Sequence, residues 1–219
     1  MLLRSALSSE HSHLVHGENV YLRTPVGADY ANWAELREQS RAFLTPWEPT
    51  WPVDDLTRSS YKRRIKRYQR EIRDDSGYAF FLFRQSDDAL IGGIRLSHIR
   101  RGVAQSCSLG YWMGECYAAK GHMTAAVRAV LPFIVDVLHL HRIEAACLPH
   151  NKASMRLLEK VGFQHEGRAR SYLCINGLWQ DHMLFAFVES DLRKQELRID
   201  PVDSARPDAM AAGGNDNRV

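Results

Sequence analysis

The chain has 219 residues, of which 45% are hydrophobic, 25% charged and 10% aromatic, the balance of one globular domain able to bury its own core, which excludes a disordered or collagen-like chain. Lysine and arginine number 29 against 26 acidic residues, and a net charge of +3 does not by itself imply nucleic-acid binding. No apolar run approaches the roughly 18 residues of a membrane span, and the start, broken by Arg4, is no signal peptide, so a cytoplasmic protein without membrane attachment is expected.

Residues 1–17 read as a flexible leader, in which His11, His13 and His16 lack the supporting partners of a metal site. Val20–Arg23 is a β-rich strand stopped by Pro25, and Asp29 caps a helix carrying Trp33, Leu36 and Arg37. Between Phe43 and Pro52 stand Pro46, Pro49 and Pro52, each biasing the residue before it to extended geometry. A rigid, non-helical loop bearing Trp47 and Trp51 is expected there, as a buried plug or as a binding wall. A basic helix follows from about Asp54 to Arg73; from Arg58 onward it carries eight cations against the single acid Glu71. It is read as a solvated face or as a surface for an acidic or RNA-bearing partner, with no DNA expected.

Tyr78–Phe83, Leu90–Leu96 and Ser106–Met113 read as successive antiparallel strands. From Ala119 to Leu138 apolar residues recur at three- and four-residue steps, which predicts an amphipathic helix kinked at Pro132. Arg142–Leu148 is a strand, and Asn151–Val161 a short helix with Asn151 as N-cap and Gly162 as terminator. Strands over Arg170–Ile175 and Trp179–Val188 flank the hairpin signal Asn176-Gly177. The domain is expected over 18–190, with a disordered tail over 195–219. Cys107, Cys116, Cys147 and Cys174 form no Cys-x-x-Cys pair and read as reduced thiols without a metal.

The fold class is therefore α/β, a mixed and mostly antiparallel sheet of about seven strands flanked by helices. Its most informative junction is Gly114–Thr124, where a strand turns into a helix with glycine at the bend. The first N–H groups of that helix have no partner within it and converge on an anion site suited to a pyrophosphate, unless the junction is a plain turn.

The runs Lys120-Gly-His-Met-Thr124, Pro149-His-Asn-Lys-Ala-Ser154, Glu159-Lys-Val-Gly-Phe163, Pro46-Trp-Glu-Pro49 and Asn176-Gly-Leu-Trp-Gln-Asp-His182 resemble the GNAT superfamily of N-acetyltransferases, its RimJ/RimL-type ribosomal-protein-alanine branch in particular. The resemblance covers about Glu18–Glu189. It implies a sheet splayed between the fourth and fifth strands, with acetyl-CoA as cosubstrate wedged in the opening. Met113, Lys120, Gly121, His122, Met123, Thr124, Asn151, Ser154 and Arg156 are its implied cofactor residues, the phosphates being held mainly by backbone. Ala118 stands where Arg or Gln is usual, Met123 where a small residue is commoner, and Leu158 where many members place a catalytic tyrosine. Ser154 is read as the substitute for that tyrosine, or as a plain helix position.

The acceptor must lose a proton before it attacks a thioester. Glu144 is the first candidate base, with Glu48 and His150 behind it; Glu48 equally suits the acceptor's ammonium as a counter-charge. Trp47, Glu48, Tyr111 and Tyr172 are the implied substrate residues. The implied activity is acetylation of a ribosomal protein's N-terminal alanine by direct attack in a ternary complex, with the basic helix docking on the ribosome or its RNA. The alternatives are a small-amine acetyltransferase, for an antibiotic or polyamine, and a non-catalytic CoA-binding module.

Overall fold

The strands are β1 (Leu14–Gly17), β2 (Val20–Arg23), β3 (Tyr78–Arg84), β4 (Leu90–Arg100), β5 (Ser106–Met113), β6 (Arg142–Cys147), β7 (Gln164–Ile175) and β8 (Leu178–Val188). The helices are α1 (Tyr30–Gln39), α2 (Arg41–Leu44), α3 (Arg58–Arg73), α4 (His122–Pro132), α5 (Lys152–Val161) and α6 (Glu189–Ile199). This computed structural model describes residues 14–199, and its strands form one sheet in the order β1-β2-β3-β4-β5-β6-β8-β7. Every neighbouring pair is antiparallel except β5 and β6.

β3 shows why both faces are covered. Up to its closing Arg84 its sequence, Tyr-Ala-Phe-Phe-Leu-Phe, is buried at every position, so neither face can meet water. Phe80 and Leu82 join the core that α4 supplies with Val127, Val130 and Leu131. Ala79, Phe81 and Phe83 pack on Trp33 of α1 and on Tyr61, Ile65 and Tyr68 of α3. At roughly 1.5–3 kcal/mol per large apolar side chain buried, this double layer clamps the sheet between two sets of helices.

Several sequence expectations are corrected. The expected leader over 1–17 gives way at Leu14–Gly17 to an edge strand paired from Leu14 opposite Arg23 to Gly17 opposite Val20, so the sheet has eight strands. Its half-exposed residues carry no apolar period, and its position comes from packing: a Cβ on Gly17 would lie 3.0 Å from that of Ala129 on α4. The earlier leader residues, with His11 and His13, and the tail from residue 200 lie outside the described residues. Up to Ile199 the expected tail is helix α6.

The supposedly non-helical loop holds helix α2 and a 3₁₀ turn over Thr45–Trp47, because Pro46 falls in the first turn, where its missing N–H costs nothing. The basic helix begins at Arg58 rather than Asp54, with the Thr57 side chain accepting from the Ser60 N–H. Asp29 does precede α1, but its carboxylate accepts from the Val26 N–H and from Arg23 and does not cap that helix. α4 starts at His122, and at Pro132 it passes into one π-helical turn, Phe133–Val137.

β5 and β6 are parallel and pair only at Ser106–Arg142, Cys107–Ile143 and Ser108–Glu144. Beyond these residues the two strands part, leaving unpaired backbone edges facing each other in the middle of the sheet.

Candidate active site at the sheet opening

The opening holds a cavity of about 180 Å3, lined by residues from both strands, from α5, from the β7–β8 hairpin and by Trp47. On the α5 side, Tyr111 of β5 and Ser154 of α5 meet as a hydroxyl pair at 2.7 Å. Burial pushes the Tyr111 phenol above its usual range, so it stays protonated. Asn151 is a true N-cap, its Oδ1 accepting from the Ser154 N–H at 3.0 Å. Cys147 also lines the cavity with its thiol pushed up by burial, and Cys107 is pushed up to about 12, so neither is an activated nucleophile.

Residues 114–121, with a 3₁₀ turn over Glu115–Tyr117, lead from β5 to α4. Gly121 precedes the helix at φ +84°, a left-handed conformation that suits glycine. A Cβ there would meet nothing within 4 Å, so the residue is demanded by its backbone angle and not by crowding. The first intrahelical bond runs from the Ala125 N–H to the Gly121 carbonyl, which leaves the N–H groups of His122, Met123 and Thr124 without helix partners. The Met123 side chain is core, so only its backbone can serve a ligand; Met113, at the end of β5, packs on that core too. The Lys120 ammonium donates to the Cys116 carbonyl at 2.8 Å. Burial, then the charges of Arg84 and Lys120, lower the pKa of His122. Beside this turn lies a groove of about 380 Å3 lined by Gly121, Thr124, Arg128 and Lys160. Arg156 is exposed on α5 one turn before Lys160 and lines neither cavity.

The opposite side differs from the sequence expectation. Glu144 sits at the closed end of the opening, where Arg142 donates to its Oε1 at 3.0 Å and Arg100 to its Oε2 at 2.7 Å; it does not line the cavity. Glu48 is held by both Arg37 nitrogens at 2.7 and 2.6 Å and by the Trp51 N–H at 2.7 Å, with the Arg37 guanidinium stacked on Trp51. It pins the aromatic loop and presents no free charge to the cavity. The Glu48 carbonyl accepts from the Asn176 N–H, which ties the loop to the β7–β8 turn. His150 packs on Trp47 at 5.4 Å between ring centres and stays outside the cavity lining. Tyr172 packs edge-on against His182, a buried cavity residue that the sequence reading did not single out. The only sequence signal for His182 was its place in the Gln-Asp-His run.

Comparisons with known proteins agree with this architecture. The acetyltransferase (GNAT) domain family matches residues 19–164. The probable N-acetyltransferase YjcK of Bacillus subtilis is 38% identical over 178 residues, which cover 81% of this chain and 98% of that protein. The ribosomal protein uS5-alanine N-acetyltransferase of Escherichia coli is 35% identical over 158 residues, covering 72% of this chain and 81% of the relative. Among solved structures, Mycobacterium smegmatis RimJ in complex with CoA-disulfide superposes with a TM-score of 0.77 at 28% identity, covering 86% of this chain and 93% of that one.

Proposed function

Since the chain belongs to the GNAT acetyltransferase family and so uses acetyl-CoA, we propose that it acetylates the N-terminal amine of a ribosomal protein that begins with alanine. The cavity carries this reading. Its acceptor side is walled by Trp47, Leu173, Ile175 and His182, and no Asp or Glu lines it. A small apolar first residue bearing one amine fits such a wall, whereas a polyamine would need carboxylates for its further charges. The relative from E. coli, named for alanine acetylation of uS5, supports the acceptor class.

The residues present fit the cosubstrate. The unpaired edges of β5 and β6 can pair with an extended, amide-bearing chain as a further strand would. The free N–H groups at Gly121–Thr124, with Arg128 and Lys160 beside them, suit its phosphates. When bound, acetyl-CoA supplies an activated acyl carbon and a thiolate leaving group. Tyr111, kept protonated by burial, and Ser154 provide a hydroxyl relay for the proton the departing sulfur takes. Ser154 thus does not replace the missing helix tyrosine alone; a tyrosine from the neighbouring strand completes the pair.

On α3, Arg63, Arg64 and Arg67 are engaged in ion pairs with Asp54, Asp55 and Glu71. Lys62, Lys66, Arg70 and Arg73 fall on one helix face and make no ion pair among the described residues, so this stripe is the surface proposed to dock on the ribosomal substrate. The test of the function is intact-mass analysis of ribosomal proteins from cells with and without the gene. One alanine-initiated protein lighter by an acetyl group in the deletion strain is expected; an unchanged set overturns the reading.

A further inference from the structure

An acceptor ammonium needs a base, and neither carboxylate proposed from the sequence reaches the cavity. Resting on the N-acetyltransferase reading above, we propose that Nε2 of His182 takes that proton, which makes His182 a catalytic residue. β8 places it opposite Ala169, with only 2% of the residue exposed. Its Nδ1 lies 3.0 Å from the Gln180 carbonyl oxygen. A carbonyl only accepts, so Nδ1 carries the hydrogen and the lone pair of the neutral ring is on Nε2.

Nε2 has no hydrogen-bond partner among the described residues, and it is not among the sealed, unpartnered buried atoms, which are Arg37 Nε, Arg64 Nε and Glu71 Oε2. Its access is therefore to the cavity that the ring lines with Trp47, Tyr111 and Ser154. No Asp, Glu, Lys or Arg lines that cavity, and the other titratable lining groups, Tyr111 of β5 and Cys147 of β6, are held neutral by burial. From β7 the Tyr172 ring packs on His182 at 5.8 Å. The adjacent Asp181 is engaged by Arg168 and by the Ser171 N–H. His182 is the one side chain of this lining that presents an unshared basic nitrogen lone pair, at Nε2, to an incoming proton.

The proton balance follows from the product. The ammonium gives one proton to Nε2, and the freed lone pair forms the C–N bond at the thioester carbon. The C–S bond breaks with its electrons on sulfur. The second amine proton reaches sulfur through the Tyr111–Ser154 pair, and the imidazolium returns its own to solvent.

The test uses the full chain, acetyl-CoA and a short peptide with an N-terminal alanine. In the wild type, kcat/KM is expected to rise along an acidic limb whose midpoint equals the titration midpoint of His182 measured by NMR. His182→Asn keeps a donor near the Nδ1 position; it should lose that limb, lower kcat/KM by about 10²–10⁴-fold and leave acetyl-CoA affinity by calorimetry unchanged. A variant with the wild-type limb and rate, or a wild-type limb that does not coincide with the His182 titration, overturns the proposal alone. The second criterion decides the matter even if the variant does not fold. Wild-type protein that binds acetyl-CoA yet acetylates neither the peptide nor any small amine overturns the transferase reading as well.

Discussion

The two sides of the sheet opening are built by different means. The proposed cofactor side is assembled from backbone and near neighbours: a left-handed glycine, the first turn of α4, and an N-cap at α5. The proposed acceptor side is assembled from side chains far apart in sequence, with Trp47 from the loop after α2, Leu173 and Ile175 from β7, and His182 from β8. A site made of local backbone geometry is specified by a few consecutive residues. A site made by long-range packing acquires its chemistry only when those elements meet, so acceptor specificity can diverge while the cofactor site stays recognisable.

The strongest way to break the comparison is at the point where the two sides touch. Tyr111→Phe or Ser154→Ala removes one hydroxyl of the 2.7 Å pair and is expected to lower kcat by about 10²–10⁴-fold while acetyl-CoA affinity holds. Steady-state rates beside calorimetry check it; equal losses in affinity would make the pair a binding device. Next comes the loop. Arg37→Met leaves the largely buried Glu48 carboxylate without its cation, held only by the Trp51 N–H, and should destabilise the protein by about 3 kcal/mol in denaturant unfolding. If stability holds and only acceptor KM rises, Glu48 serves the acceptor directly, as the sequence reading had it.

On the cofactor side, acetyl-CoA at about 100 times its Kd should add about 2.7 kcal/mol to stability, read as a shift in Tm. Gly121→Ala should fold, since its Cβ has open space, but at a cost of about 1 kcal/mol for the positive φ and with weaker cofactor binding. Neutralising Lys62, Lys66 and Arg70 together should reduce acetylation of the intact ribosomal substrate in a salt-dependent way and spare the short peptide. Equal losses on both would assign α3 to the pocket or to folding. The smallest effect is expected at Glu144→Gln. Its partners Arg100 and Arg142 leave it half exposed at the closed end, so turnover should stay near wild type and stability should change by under about 1 kcal/mol. A large loss of rate in this variant would restore it as the base.

What the sequence by itself determined is much of what local spacing governs, although not the role of Asp29 or the helical turns in the proline-rich stretch. The apolar period of α4, the Asn151 cap with Gly162 closing α5, and the Asn176-Gly177 turn were all legible, because capping and turn chemistry act over a few residues. The motifs around Gly121 and Asn151 then carried the family and its cofactor. Tertiary structure decided which charges are free. Glu48 and Glu144 read as available carboxylates in the chain, yet arginines from α1, β4 and β6 occupy both. It also decided that Tyr111 meets Ser154 across 43 residues and that a histidine near the end of the sheet faces the opening. Sequence spacing cannot show these pairings, because strand order brings β5, β6 and β8 together and no local rule connects them.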